Sequence, residues 1–194
     1  MTDKKILLGF YPFLLLIVLA LGACTDVSPV FGQYFRGRVL DLSVVTLERT
    51  PELLYSTVDA EQVKRHYRIR PSAEDLELVL VRLKVENHTA TRAIVSIDAQ
   101  AAELRGLEKD TLERIKLRPL NVNELVEEVS APENPGAERS IVFLWNVTQE
   151  DGTTEAFTLP KGFGLEGWLV FEAPKKTKFL EFRWRAGDSL TIDF

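Results

Sequence analysis

Val79, Val81, Leu83 and Val85 occupy every second position of one segment, with Arg82, Lys84 and Glu86 on the alternate positions. Successive side chains of an extended chain point to opposite faces, so this spacing commits Leu76 to Glu86 to a strand with one apolar face. Such a strand needs partners, and the sequence supplies them. Asn87-His88-Thr89 reads as a turn, and Arg92 to Leu104 as a second strand with Val95, Ile97, Ala99 and Ala101 facing inward. Near the C-terminus Leu180, Phe182 and Trp184 alternate with Glu181, Arg183 and Arg185. Ala186-Gly187-Asp188 then turns the chain, and Leu190, Ile192 and Phe194 continue the inner set. Gln149 to Gly152 separates Ser140 to Val147 from Thr153 to Leu159 as a hairpin turn. Many short strands divided by turn signals point to an all-β, immunoglobulin-like antiparallel sandwich.

Two segments break the period of two. Val122, Leu125, Val126 and Val129 fall at helical spacing behind Asn121, a capping residue with Glu124 three positions on. Asp110 and Glu113 repeat the capping pattern ahead of Ile115. The sequence therefore predicts one or two short helices in a crossover from Leu104 to Ser140, closed by an exposed loop over Ala131 to Gly136.

Cys24 is the one cysteine of 194 residues. It follows Leu21-Gly22-Ala23 at the end of an apolar run from Ile6, itself preceded by Lys4 and Lys5. A positive start, an apolar stretch and small residues before a cleavage point are the parts of a secretory leader, expected to form a signal helix. The four residues Leu21 to Cys24 resemble the bacterial lipobox. That resemblance implies cleavage between Ala23 and Cys24 and a diacylglyceryl thioether on the cysteine sulfur. One acyl chain holds a protein to a membrane only reversibly, whereas two or more hold it stably. With its sole sulfur so used, the mature chain has no disulfide, no cysteine nucleophile and no thiolate metal ligand. The expected organisation is a signal peptide over 1–23, a flexible tether over 24–37 and a sandwich domain over 38–194.

That domain is long enough to bury a core of its own. The chain carries 24 Lys and Arg against 29 Asp and Glu, and the leader removes two cations and one anion. The remainder is mildly acidic, which argues against a nucleic-acid partner and against attraction to anionic lipid headgroups.

Other patterns carry little chemistry. Gly162, Gly164 and Gly167 spell GxGxxG, but a dinucleotide site needs a following helix. Here Trp168-Leu169-Val170-Phe171 reads as a strand. The two histidines lack a local partner: His88 falls in a turn, and His66 precedes an expected strand over Tyr67 to Arg70. No HExxH or paired-histidine spacing is present. Glu150-Asp151-Gly152 lacks the oxygen spacing of a calcium loop. Trp145, Trp168 and Trp184 lie on three expected strands and read as core or core edge. We therefore assign no catalytic residue, no cofactor and no metal ligand from the sequence.

Leu78-Val79-Leu80-Val81-Arg82-Leu83-Lys84-Val85-Glu86-Asn87 resembles the signature strand of a telokin-like, immunoglobulin-like domain of unknown function found in bacterial lipoproteins. Leu159-Pro160-Lys161-Gly162, Gly167 to Pro174 and Gly187-Asp188-Ser189-Leu190 are similar to its closing strands. The segment from Leu107 to Arg139 departs from a minimal domain of that kind. The resemblance implies a sandwich outside the cytoplasm and brings no catalytic residues. The expected function is a membrane-anchored extracytoplasmic lipoprotein, non-enzymatic, that binds or supports an envelope protein through edge strands or the Glu124 to Gly136 region. The alternative is a small-ligand receptor or hydrolase with a pocket near His66 or the tryptophans.

Overall fold

The computed structural model describes residues 30–58, 61–148 and 153–194. The signal peptide, Ala23, Cys24 and the turn over 149–152 lie outside the described residues. Residues 30–37, expected within the tether, belong to the fold. Val30 and Phe31 pack on the core, the Gly32 amide donates to the Val44 carbonyl at 2.8 Å, and β1 (Tyr34–Arg36) pairs with β2 (Leu40–Thr50).

The protein is an all-β antiparallel sandwich. One sheet has the order β1-β2-β5-β13, with β5 spanning Leu76–Asn87 and β13 spanning Gly164–Pro174. The other has the order β15-β14-β7-β8, from β15 (Leu190–Asp193), β14 (Lys178–Trp184), β7 (Ala102–Leu107) and β8 (Arg114–Leu117). Between them lies the main core. Leu42, Val81, Leu83 and Phe171 come from the first sheet, Leu104, Phe182, Trp184 and Ile192 from the second. The Phe171 and Phe182 rings meet edge-on at 6.4 Å, which ties the sheets together at their centre.

The long strand β5 does more than its pattern indicates. Val79, Val81, Leu83 and Val85 face the main core, as expected, and all are fully buried. Leu78 and Leu80, on the opposite face, are equally buried, in a second core with Leu53, Ile69, Val122, Ile141 and Val170. A third layer covers this end of the first sheet: β3 (Leu53–Val58), β4 (Lys64–Ile69) and β9 (Glu127–Val129), in the order β3-β4-β9. The unbroken apolar opening of β5 is thus the part buried on both faces.

Four local expectations are corrected. Arg92 to Leu104 is not one strand: β6 (Arg92–Val95) ends where Asp98 folds the chain back, its carboxylate accepting from the Gln100 amide at 2.7 Å and its carbonyl from the Ala101 amide at 3.1 Å. That turn sends β6 to pair with β12 (Phe157–Pro160) and β7 to pair with β14. Ala99 consequently sits half-buried in the turn rather than on an inner face. Leu180 is displaced by a register shift between Phe179 and Glu181, which packs Phe179 on the core and leaves Leu180 lining an outer cleft. The helical spacing over Val122 to Val129 yields a single turn, α1 (Val122–Leu125), after which Glu127–Val129 pairs with β4. Asn121 caps α1 as expected, accepting from the Asn123 amide and donating to Glu124. No helix follows Asp110; the chain turns there and enters β8.

Ser140 to Asn146 is extended but makes no regular strand. It runs alongside two sheet edges instead. The Arg139 amide donates to the Leu54 carbonyl, while the Trp168 amide donates to the Val142 carbonyl and the Trp168 carbonyl accepts from the Leu144 amide, both at 2.9 Å. Gly167 permits that approach, since a Cβ there would lie 2.6 Å from the Val142 carbonyl oxygen. The expected hairpin survives as two paired residues on each side, β10 (Val147–Thr148) with β11 (Thr154–Glu155).

Candidate functional site

His66 lies inside β4, not ahead of it, and the fold gives it a partner that its sequence neighbours do not. Its Nδ1 is 2.5 Å from Glu138 Oε1, contributed from 72 residues away. Lys64, on the same face of β4, donates to the other Glu138 oxygen at 2.6 Å, and Ser56, the cross-strand neighbour of His66, donates its hydroxyl proton to the same carboxylate. Side-chain exposure of Glu138 is 7%, so it is desolvated and surrounded by donors. Lys64 first, then His66 and Ser56, hold its carboxyl down at about 2.

Ser56, His66 and Glu138 have the composition of a catalytic triad but not its order. In a triad the imidazole lies between hydroxyl and carboxylate and takes the hydroxyl proton. Here the carboxylate is the hub, so Ser56 is tied to Glu138 rather than activated by His66. What the cluster does is fasten the crossover to the small sheet. Arg139 continues it through an ion pair with Glu48, and Glu127 and Glu128 pair with Arg68 and Arg65 across β4 and β9. Because the folded Glu138 carboxyl titrates below its ordinary value of 4.5, its stabilising contribution is complete above that value and is lost as pH falls towards about 2. Thermal unfolding of wild type and Glu138→Gln should therefore differ most near neutrality, wild type being more stable. The gap should close steadily as pH falls below 4.5. A gap independent of pH would contradict the carboxylate hub.

The tryptophans go to three separate places. Trp184 is fully buried in the main core, its indole N–H donating to the Ala186 carbonyl at 2.8 Å. Trp168 edges the second core, near the stack of Tyr55 on Tyr67 and the edge-on contact of Tyr55 with Phe143. Burial there pushes the Tyr55 hydroxyl up to about 12. Trp145 stands on the irregular stretch rather than a strand and lines a cleft of about 360 Å3 with Val122, Phe143 and Asn146. Another of about 350 Å3 lies beside Trp168, Arg82 and Glu166. Arg82, Glu166 and Asn146, which line these clefts, are committed to the fold. Arg82 and Lys84 pair with Glu166, and Asn146 bonds the Ile97 amide at 2.6 Å and the Ser96 hydroxyl at 2.9 Å.

His88 does fall in a turn, with its Nε2 3.2 Å from the Gly37 carbonyl and 3.7 Å from Asp41. Gly164 opens a strand, so the GxGxxG glycines serve the turn from β12 into β13 and the close packing along β13. Among the described residues no group of three or more acidic or histidine side chains is placed to hold a metal ion. Nor is any described helix long and apolar enough to cross a membrane.

Sequence reasoning missed three polar clamps, two of them buried and the third, Asp188, half-buried. Asn87, fully buried, donates to the carbonyls of Ala90 and Leu159 at 2.8 and 2.9 Å and accepts from the Ala90 amide at 3.0 Å. Asp188 accepts from the amides of Val39 and Leu40 at 2.7 and 3.0 Å, joining the turn before β15 to the start of β2. Burial pushes the Asp188 carboxyl up, and these amides with that of Ser189 more than reverse it. Asn146 is the third. All three bind backbone across loops distant in sequence, and the only visible signal was a polar residue ending an apolar run at Asn87.

The fold is thus that of a non-barrel, all-β antiparallel sandwich with its polar clusters turned to internal use. No family model matches the chain, and no curated protein matches it. Two solved structures are similar. One is the yjhA protein from Bacillus subtilis, at 13% identity and a TM-score of 0.44, covering 81% of this chain and 83% of that one. The other, from Bacillus subtilis subsp. subtilis str. 168, is described as a "putative lipoprotein (ycdA)", at 12% identity and a TM-score of 0.44. That match covers 83% of this chain and 38% of the other.

Proposed function

We propose that this chain is an extracytoplasmic lipoprotein, held at a membrane by lipid on Cys24, whose sandwich has a non-enzymatic binding or structural role in the cell envelope. The observation that carries the reading is Leu21-Gly22-Ala23-Cys24 at the end of a leader with a positive start and an apolar run. The fold supports it in two ways. Val30, six positions beyond the cysteine, already packs on the core, which suits a domain tied close to its anchor. The His66 cluster and the polar groups beside Trp145 and Trp168 serve the fold, which favours binding over catalysis. The resemblance of Leu78 to Asn87 to telokin-like domains points the same way.

The contact surface we favour is the crossover from Glu124 to Gly136. It includes β9, an edge strand of three residues, two of them exposed glutamates. Short charged edges resist indiscriminate strand pairing, yet the outer backbone edge of β9 remains open to a partner strand. A photoreactive residue in place of Glu128, in intact cells, should give a reproducible crosslink to one envelope protein that the same residue at Arg185 does not. Recovery of no reproducible partner from either position would count against a binding role at this surface.

A further inference from the structure

The end of the sandwich that carries Asn87 presents an aromatic side chain to solvent. Phe163 is 64% exposed although its backbone is firmly held. Its amide donates to the Pro160 carbonyl at 3.0 Å, and its carbonyl accepts from the Asn87 amide at 2.9 Å. Gly162, at φ 80°, makes the turn, and its amide donates to the Asn87 carbonyl at 2.7 Å. The turn is therefore clamped with the ring pointing out, which is not the usual fate of a phenylalanine. Around it are Lys161 and Arg92, both exposed and without a carboxylate partner among the described residues, and Ile94, 61% exposed two positions beyond Arg92 on β6. The carboxylates nearest along these strands are occupied: Glu86 accepts from the Tyr34 hydroxyl at 2.7 Å, Glu166 pairs with Arg82 and Lys84, and Asp188 holds backbone amides. The opposite end, around Pro51, Ala73 and Lys175, exposes Glu52, Glu74 and Asp75, and its one large exposed apolar side chain among the described residues, Leu112 on the β7–β8 turn, has exposed Asp110 and Glu113 beside it.

We propose that this tip, Phe163 with Ile94, Arg92 and Lys161, docks on the bilayer surface to which Cys24 is tied. The inference rests on the lipoprotein reading above, because the tether is what selects a membrane over a protein. Val30 is six residue steps from Cys24, a reach of about 20 Å. Gly32 bonds to Val44, four residues along β2 from Leu40, which pairs with Asn87 at the tip. The tip therefore lies about 13 Å beyond the point where the chain joins the sheet, within reach of the anchor. An aromatic ring flanked by cations is the chemistry that seats at a lipid headgroup boundary. The acidic remainder of the domain, repelled by anionic lipid, turns away from it.

The test uses the lipidated chain, purified from membranes and placed in vesicles of phosphatidylcholine and phosphatidylglycerol. With the Cys24 sulfur in a thioether, a cysteine introduced as Thr91→Cys at the tip or Ala73→Cys at the far end is the only thiol available to a fluorophore. A headgroup nitroxide should quench the tip label at least about fivefold more than the far label, since β5 sets the two ends about 37 Å apart and interfacial groups lie within about 10 Å of the headgroups. Adding Phe163→Ser should remove most of that difference without lowering the melting temperature. Equal quenching at both ends, or no effect of Phe163→Ser, overturns the proposal while leaving the anchor intact. Absence of lipid on the Cys24 peptide by mass spectrometry overturns the anchor reading and the docking together. A protein crosslink from position 163 in cells, with no quenching in vesicles, overturns it by assigning the tip to a protein partner.

Discussion

Trp184→Ala is expected to cost about 3–5 kcal/mol, the range for deleting a large aromatic side chain from a packed core. The indole is among the largest side chains buried completely, between the two sheets, and it holds the Ala186 carbonyl as β14 enters its last turn. Truncation leaves a cavity and an unsatisfied carbonyl, so the loss should fall towards the upper end of that range. For a domain of this size it corresponds to a fall of about 10 °C in melting temperature. Circular dichroism during heating and in guanidinium measures it. Trp145→Ala, at a half-buried position outside the sheets, should cost distinctly less. A loss below about 1 kcal/mol at Trp184 would contradict the core described above.

Asn87→Ala should be the next most damaging change, at about 2–4 kcal/mol. It breaks three hydrogen bonds at a fully buried site and leaves the Ala90 and Leu159 backbone groups without partners. The isosteric Asn87→Asp separates shape from chemistry. Its carboxylate can still accept from the Ala90 amide, but it meets the Ala90 and Leu159 carbonyl oxygens with lone pairs where the amide offered protons. We expect it to be at least as destabilising as Asn87→Ala near neutral pH, and less so as acid protonates it. If Asn87→Asp were neutral, the side chain would not be clamping the β5–β6 turn to β12.

Both sites lie at the ends of alternating patterns, and that is where the sequence spoke most clearly. Val79 to Val85 and Phe182 to Trp184 read correctly because period-two alternation reports a strand with one wet face. It misled where both faces are dry or where the chain slips by a residue. Leu78 and Leu80 face a second core that no local pattern announces, since its far side comes from β3 and β4. The shift at Leu180 reverses the inward set by one position, and hydrophobicity alone cannot register such a slip. Asp98 ended a strand that apolar residues on either side seemed to continue, because an aspartate turn satisfies the backbone locally. The crossover misled for a different reason. Val122 to Val129 has helical spacing, yet the charge pairs of Glu127 and Glu128 with β4 drew its second half into a sheet. Glu138 beside His66 was beyond reach: contacts across 72 residues are set by topology.

The division between anchor and domain is sharper with the structure in view. Val30 and Phe31 pack on the core and Tyr34–Arg36 pairs with β2, so the expected tether over 24–37 loses its second half to the sandwich, and on the proposed reading the sandwich is held close to the lipid on Cys24. Short confinement gives the exposed tip at Phe163 a physical consequence, since a surface held within about 20 Å is met at high effective concentration.

The central claim is that Cys24 is the lipid-bearing first residue of a membrane-held sandwich. Mass spectrometry of the N-terminal peptide from the protein as it accumulates in a bacterial cell tests it directly. The account predicts a peptide beginning at Cys24, carrying a diacylglyceryl group on sulfur, and its loss in Cys24→Ala with accumulation of the uncleaved chain. A mature chain that keeps residues 1–23 with a free Cys24 thiol, or one that is processed normally after Cys24→Ala, would contradict it.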